Sequence, residues 1–117
     1  MSKGYDLEER TFQFAKDVRI FVQTLKPTIG MVEDSKQLVR SSGSVGANYI
    51  EANEGLSQKD FLHRVKISRK EAKESVYWLR LIKEANQINN VVELDKLIQE
   101  GQEIRKILSA IIKKVDC

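Results

Sequence analysis

The chain has 117 residues, of which 32% are charged and 41% hydrophobic, with one Pro and six Gly. That length suits a single domain spanning residues 1–117 with room for a buried core, and so little Pro and Gly favours long helices over a β-sandwich or barrel. The formal net charge of +3 is compatible with a nucleic-acid partner but does not require one.

A first helix is expected over about 7–25, where Phe14, Val18, Phe21, Val22 and Leu25 line one face at helical spacing. Pro27 and Gly30 are expected to end it. A second, over about 34–54, begins at Asp34-Ser35-Lys36-Gln37, which has capping-box spacing. It carries Leu38, Val45 and Ala52 seven residues apart and stops at Gly55.

Within this second helix lies Ser41-Ser42-Gly43-Ser44-Val45-Gly46-Ala47-Asn48. Gly and Ser are poorer helix formers than Ala, and each Gly costs about 1 kcal/mol relative to Ala. What they allow is close approach of a neighbouring backbone. Gly43, Gly46 and Ala47 are therefore expected at a helix crossing. Asn48 and Glu51 are expected to cap or cross-link helices there, because buried polar groups must be paired. The order of glycines is not that of a Walker phosphate loop, and Gly43 and Gly46 fall mid-helix, where backbone N–H groups are already used.

A third helix is expected over about 58–86, opened by the capping spacing of Ser57-Gln58-Lys59-Asp60. At about 100° per residue, Lys59, Lys66, Arg69, Lys70, Lys73 and Arg80 gather on one side, with His63 at the margin. Phe61, Val65, Ser68, Ala72, Val76 and Leu79 take the opposite side. Arg64 and Glu71 are two turns apart near the boundary, placed to meet partners on another helix. Lys70 and Glu74 have the i, i+4 spacing of a surface ion pair.

The polar run Asn86-Gln87-Ile88-Asn89-Asn90 reads as a turn before a fourth helix over about 92–115. There Leu94, Leu97, Gly101, Ile104, Leu108, Ile111 and Val115 follow a coiled-coil-like spacing. Ile107 and Ile112 widen this apolar face beyond one stripe, which points to a second apolar interface and an oligomer. Short connections make the helices antiparallel neighbours, so the expected fold is an all-α, up-and-down four-helix bundle.

These motifs resemble those of the bacterial four-helix-bundle proteins known as 23S rRNA intervening-sequence proteins. The resemblance is carried in order by the run from Asp6 to Ala15, by Gln37 to Asn48, by Glu51-Ala52, by Ser57 to Phe61 and by Lys70 to Leu81. It covers about residues 6–85, and the last helix fits by its apolar pattern alone. It implies a homopentamer with a central channel. It also implies a relationship to the accessory variability determinant of diversity-generating retroelements, a similar pentamer that binds nucleic acid and a reverse transcriptase. The family has no established catalytic residues, so none is carried over. Ser68 and Lys70 stand where much of the family has Ala or Gly, and Lys70 matches the branch that reads Lys-Glu-Ala.

The function expected is that of a non-enzymatic scaffold for RNA or DNA, or an accessory to a nucleic-acid enzyme such as a reverse transcriptase. Binding would run through the basic stripe of the third helix, helped by Arg40, Lys106 and Lys113. The alternative is a ring-shaped protein-interaction adaptor whose charges serve solubility. No cofactor or metal is expected, since His63 is the sole histidine and no Glu-x-x-His pattern is present. Ser41, Ser42 and Ser44 have no arranged base, and Cys117 is the last residue. Tyr77 and Trp78 are read as core or subunit interface, with base stacking as the other use. The single cysteine, the lack of an apolar signal core in Met1–Asp6 and the lack of a long apolar run lead us to expect a cytoplasmic, non-membrane protein.

Overall fold

A computed structural model describes residues 3–116; Cys117 lies outside them. Four helices follow in order: α1 (Lys3–Val22), α2 (Ile29–Asn53), α3 (Gln58–Ala85) and α4 (Val91–Asp116). At 1.5 Å per residue α3 is about 42 Å long, which accounts for the 45 Å long axis of the 45 × 26 × 20 Å body. Each helix packs against its neighbours around a ring, α1 on α2 and α4, α3 on α2 and α4. Successive helices run antiparallel, giving the expected up-and-down four-helix bundle.

Helix boundaries follow local chemistry, with three departures from expectation, the first being that α1 begins at Lys3 and not near Leu7. α1 ends at Val22, and the chain then turns through Thr24 N–H to Phe21 O (2.9 Å) and Leu25 N–H to Val22 O (3.1 Å). Leu25 still packs on the core. α2 begins at Ile29, not near Asp34, and Gly30 lies inside it. Thr28 is extended (φ −82°, ψ 164°), and its hydroxyl accepts from Met31 N–H at 3.3 Å. The extra turn buries Met31, so a cap and an anchor together displace the later Asp34 start. α3 starts as expected, with Ser57 Oγ accepting from Asp60 N–H at 3.1 Å. Its far end is closed by Asn86 Nδ2, which donates to Ile82 O at 2.9 Å.

The core runs the length of the bundle. Phe14 and Val18 of α1, Leu38 and Val45 of α2, Val65, Ala72, Leu79 and Ile82 of α3, and Leu94, Ile104 and Leu108 of α4 are essentially inaccessible. These are the apolar stripes the periodicity marks. Between α2 and α3 the contact is made by small hydroxyl residues. Ser41 Oγ and Ser75 Oγ share a buried 2.9 Å hydrogen bond, and Ser68 Oγ donates to Val45 O at 2.6 Å. A side chain reaching a backbone carbonyl of the next helix requires the two axes to lie close.

Two glycines permit similar approach elsewhere. A Cβ on Gly46 would fall 2.9 Å from Thr11 Oγ1 of α1. One on Gly101 would fall 2.8 Å from Val76 Cγ2 of α3 and 3.4 Å from Phe14 Cζ. α1 and α4 are tied at the surface by Arg10, whose Nε and Nη2 donate to the Glu100 carboxylate at 2.7 and 2.8 Å, while Nη2 also reaches Glu103 at 2.9 Å.

Candidate nucleic-acid interface

The outer face of α3 carries Lys59, Lys66, Lys70, Lys73 and Arg80 exposed, with Arg69 half-buried on the flank toward α4. The order Lys66, Lys70, Lys73, Tyr77, Arg80 steps by four and three residues, so these side chains form one line along the helix. From Lys59 to Arg80 the line is about 32 Å long. Tyr77 sits inside it, 58% exposed, with its ring edge-on to Trp78 at 5.0 Å and 82°. Trp78, one residue and 100° away, turns inward and packs on the core. The pair read as one unit in the sequence thus divides between two faces.

Charge pairing is uneven over the surface, and among the described residues most cations of this line are unpaired, as are Lys16, Lys26, Lys106, Lys113 and Lys114 elsewhere. Arg10, Lys36, Arg40, Lys83 and Lys96 all meet carboxylates within 4 Å. In the line, only Lys66 approaches one, Asp116 Oδ2 at 4.0 Å. Lys59, Arg69, Lys70, Lys73 and Arg80 form no ion pair among the described residues. The expected Lys70–Glu74 pair does not form, because Glu74 turns to Arg40 at 3.8 Å. The antiparallel α3–α4 register, fixed by Val76 over Gly101 and Lys83 beside Asp95 (2.7 Å), sets Arg105, Lys106 and Lys113 of α4 at the height of the N-terminal half of α3.

Arg40 stands apart from the line. Its Nη1 and Nη2 donate to Glu71 Oε2 and Oε1 at 3.3 and 3.4 Å across the α2–α3 seam. Glu71 is only 7% exposed, so the guanidinium is held as the counter-charge of a buried carboxylate. A hydrogen bond to Glu71, then burial, then the Glu71 charge push the Glu74 carboxyl above its ordinary range, against the opposing pull of Arg40 and Lys70. Arg64, the other residue expected to reach across, donates to Asn48 Oδ1 on α2 at 3.2 Å.

The family model described as 23S rRNA-intervening sequence protein matches residues 4–110. The chain belongs to that family. The match reaches well into α4, beyond the segment that carried motifs legible in the sequence. The chain is also similar to a crystal structure of a protein of unknown function from the S23 ribosomal protein family of Bacteroides thetaiotaomicron, with 31% identity and a TM-score of 0.84, covering 96% of this chain and 99% of that one. No protein of curated function matches it.

The small-residue segment of this chain is helical throughout and has no positive-φ glycine, so it offers no phosphate-cradling loop. Gly46 is buried at the α1 crossing. Gly43 lies beneath the Arg19 guanidinium, Nη2 of which would be 3.0 Å from an added Cβ and donates to Val39 O at 3.3 Å. Asn48 does cross-link helices, holding Ser44 O at 2.9 Å on one side and Arg64 on the other. Ala47 and Glu51 do not take part in this packing: four residues apart, they share the exposed face of α2.

Ser41 and Ser42 are buried, each hydroxyl reaching a carbonyl one turn back, Leu38 O at 3.3 Å and Val39 O at 3.2 Å. His63 is exposed beside a shallow cleft between Lys59, Lys66 and Asp116. Among the described residues no group of three or more His, Cys, Asp or Glu is placed to hold a metal, and no helix is long and apolar enough to cross a membrane.

The broad apolar face of α4 divides. Ile104, Leu108 and Ile112 are buried, while Ile107 and Ile111 are half-buried and look into a groove of about 480 Å³ bounded by Leu7, Tyr49, Ala110 and the cations Arg10 and Lys114.

Proposed function

We propose that this protein is a non-enzymatic, nucleic-acid-associated scaffold or accessory to a nucleic-acid enzyme, gripping the phosphate backbone through the outer face of α3. The observation that carries the reading is the alignment of unpaired cations on one helix face. Lys59, Arg69, Lys70, Lys73 and Arg80 lie along one face of α3 and none forms an ion pair among the described residues, whereas Arg10, Lys36, Arg40, Lys83 and Lys96 are matched to carboxylates. Unpaired, exposed cations release counterions from a polyanion at no cost in broken salt bridges. Arg40 is not part of the grip, because leaving Glu71 would strand a buried carboxylate. Lys106 and Lys113 extend the positive surface onto α4.

The protein acts as an oligomer, with a ring of five as the arrangement its family resemblance suggests. The half-buried Ile107 and Ile111, and the exposed Phe12, Ile20 and Ile50, support a covered apolar surface. Repeating the stripe around a ring multiplies a modest charge into a strong field. The reading places the protein in the cytoplasm, with a reverse transcriptase or another nucleic-acid enzyme as its protein partner.

The test is binding to RNA and DNA across a salt series, with mass from light scattering in the same samples. Affinity should fall steeply with salt, by about 0.7 log units per log unit of salt for each single-stranded phosphate contacted. Changing Lys66, Lys70 and Lys73 together to Glu should abolish binding and leave the helical content intact. Binding that survives that change removes the stripe as the site. The same apolar surfaces also suit a ring-shaped adaptor without nucleic acid, which an assembled protein that binds no oligonucleotide would favour.

A further inference from the structure

A line of lysines alone has no reason to carry an exposed aromatic ring. Tyr77 occupies that line between Lys73, four residues before it, and Arg80, three after, and more than half of it is exposed. An aromatic residue on a helix's solvent face contributes little to folding and leaves apolar area in water. Its ring is not loose, however. Trp78 is packed on the core and holds the Tyr77 ring edge-on at 5.0 Å. A side chain fixed before binding loses less entropy when a ligand lands on it.

Resting on the proposed phosphate grip, we infer that Tyr77 is a stacking platform for an unpaired base, so that α3 takes single-stranded in preference to double-stranded nucleic acid. The chemistry follows from the order of groups. Cations on both sides of the ring along the helix can hold the phosphates on either side of one nucleotide, and the base between them lies on the tyrosine. In a duplex the base faces are already stacked on each other and offer nothing to the ring. A grip on phosphates alone would not favour the single strand, which carries the lower charge density. Strand preference therefore separates the role of Tyr77 from that of the lysines.

The experiment compares a labelled single-stranded RNA oligonucleotide with the same sequence as a duplex, at matched salt, for the full chain and three variants. Wild type should bind the single strand more tightly. Tyr77→Ala should lose about 5- to 150-fold on the single strand, the range of one base–aromatic stack. It should lose nothing on the duplex, and its salt dependence should be unchanged because the phosphate contacts remain. Tyr77→Phe should bind as wild type. Tyr77→Leu keeps an apolar side chain against Trp78 but no ring face, and should behave like Tyr77→Ala. Trp78 is the only tryptophan, so its emission should change when the single strand is added and not when the duplex is.

Equal affinity of wild type and Tyr77→Ala, or full binding by Tyr77→Leu, overturns the stacking role and leaves the phosphate grip standing. A drop in assembly mass for Tyr77→Ala also overturns it, making Tyr77 a subunit contact. Wild type that binds neither strand form overturns both the grip and the platform.

Discussion

Replacing Gly46 with Ala sets two effects of opposite sign against each other. In an unobstructed helix interior the change stabilises by about 1 kcal/mol. Here the new Cβ would lie 2.9 Å from Thr11 Oγ1 and 3.2 Å from Thr11 Cβ. Thr11 cannot easily turn aside. It is fully buried, and its hydroxyl donates to Glu8 O at 2.9 Å. Overpacking of this kind costs about 1–3 kcal/mol, so the net effect ranges from neutral to a loss of about 2 kcal/mol. For a chain of this length 1 kcal/mol moves Tm by about 4 °C, so Tm should stay level or fall by as much as about 8 °C. The deciding assay is a double-mutant cycle by thermal and urea denaturation, read by circular dichroism at fixed protomer concentration. Thr11→Ala removes the obstructing hydroxyl and by itself costs about 1 kcal/mol through the lost hydrogen bond. In that background Gly46→Ala should regain its helix-propensity benefit, giving a coupling of about 1 kcal/mol or more. A Tm that rises by about 4 °C for Gly46→Ala in both backgrounds would refute the claim that α1 and α2 are in contact there.

Arg10→Met should cost about 1 kcal/mol by removing the bidentate bond that ties α1 to α4, and denaturation in about 1 M salt should erase much of the difference. Glu74→Gln should stabilise the bundle at neutral pH by less than about 1 kcal/mol after solvent screening. The folded-state pKa of Glu74 is raised, so the folded chain holds its proton more tightly and stability falls as pH rises through that acid window. The variant's advantage should therefore vanish in acid, and a pH series of Tm differences checks it. Ser57→Ala removes the acceptor for Asp60 N–H and should cost about 1 kcal/mol in urea denaturation.

The start of α3 was legible because cap, periodicity and charge all agree at Ser57. The start of α2 was not, because Pro27 and Gly30 look like breakers and the Thr28 cap matters only once Met31 has a core to enter. The stripe on α3 was legible for the reason that the helix was, since both follow from 100° per residue. The pairing of Arg40 with Glu71 is not legible, because the two are 31 residues apart and no local pattern announces a pair across two helices. Glu71, near the apolar boundary by spacing, and Ser75, one turn on, are buried because α2 presents arginine and serine to them. Adjacency in the sequence groups Tyr77 with Trp78, although consecutive helical residues point about 100° apart. That rule alone puts Tyr77 in register with Lys70 and Lys73.

The serine and glycine contacts of α2 also bear on how such a protein can diverge. A larger side chain at Ser41 or Gly46 would force α2 away from α3 or from α1, and one at Gly101 would press on both α1 and α3. Few residue types fit these positions, so the backbone can persist while most of the sequence drifts, as the 0.84 TM-score at 31% identity illustrates. The outer face of α3 has no such restriction. Lysines there can be gained or lost one at a time with no change in helix packing. Two chains of this architecture can therefore superimpose closely and still differ entirely in what they bind, and ligand assignments have to be made surface by surface.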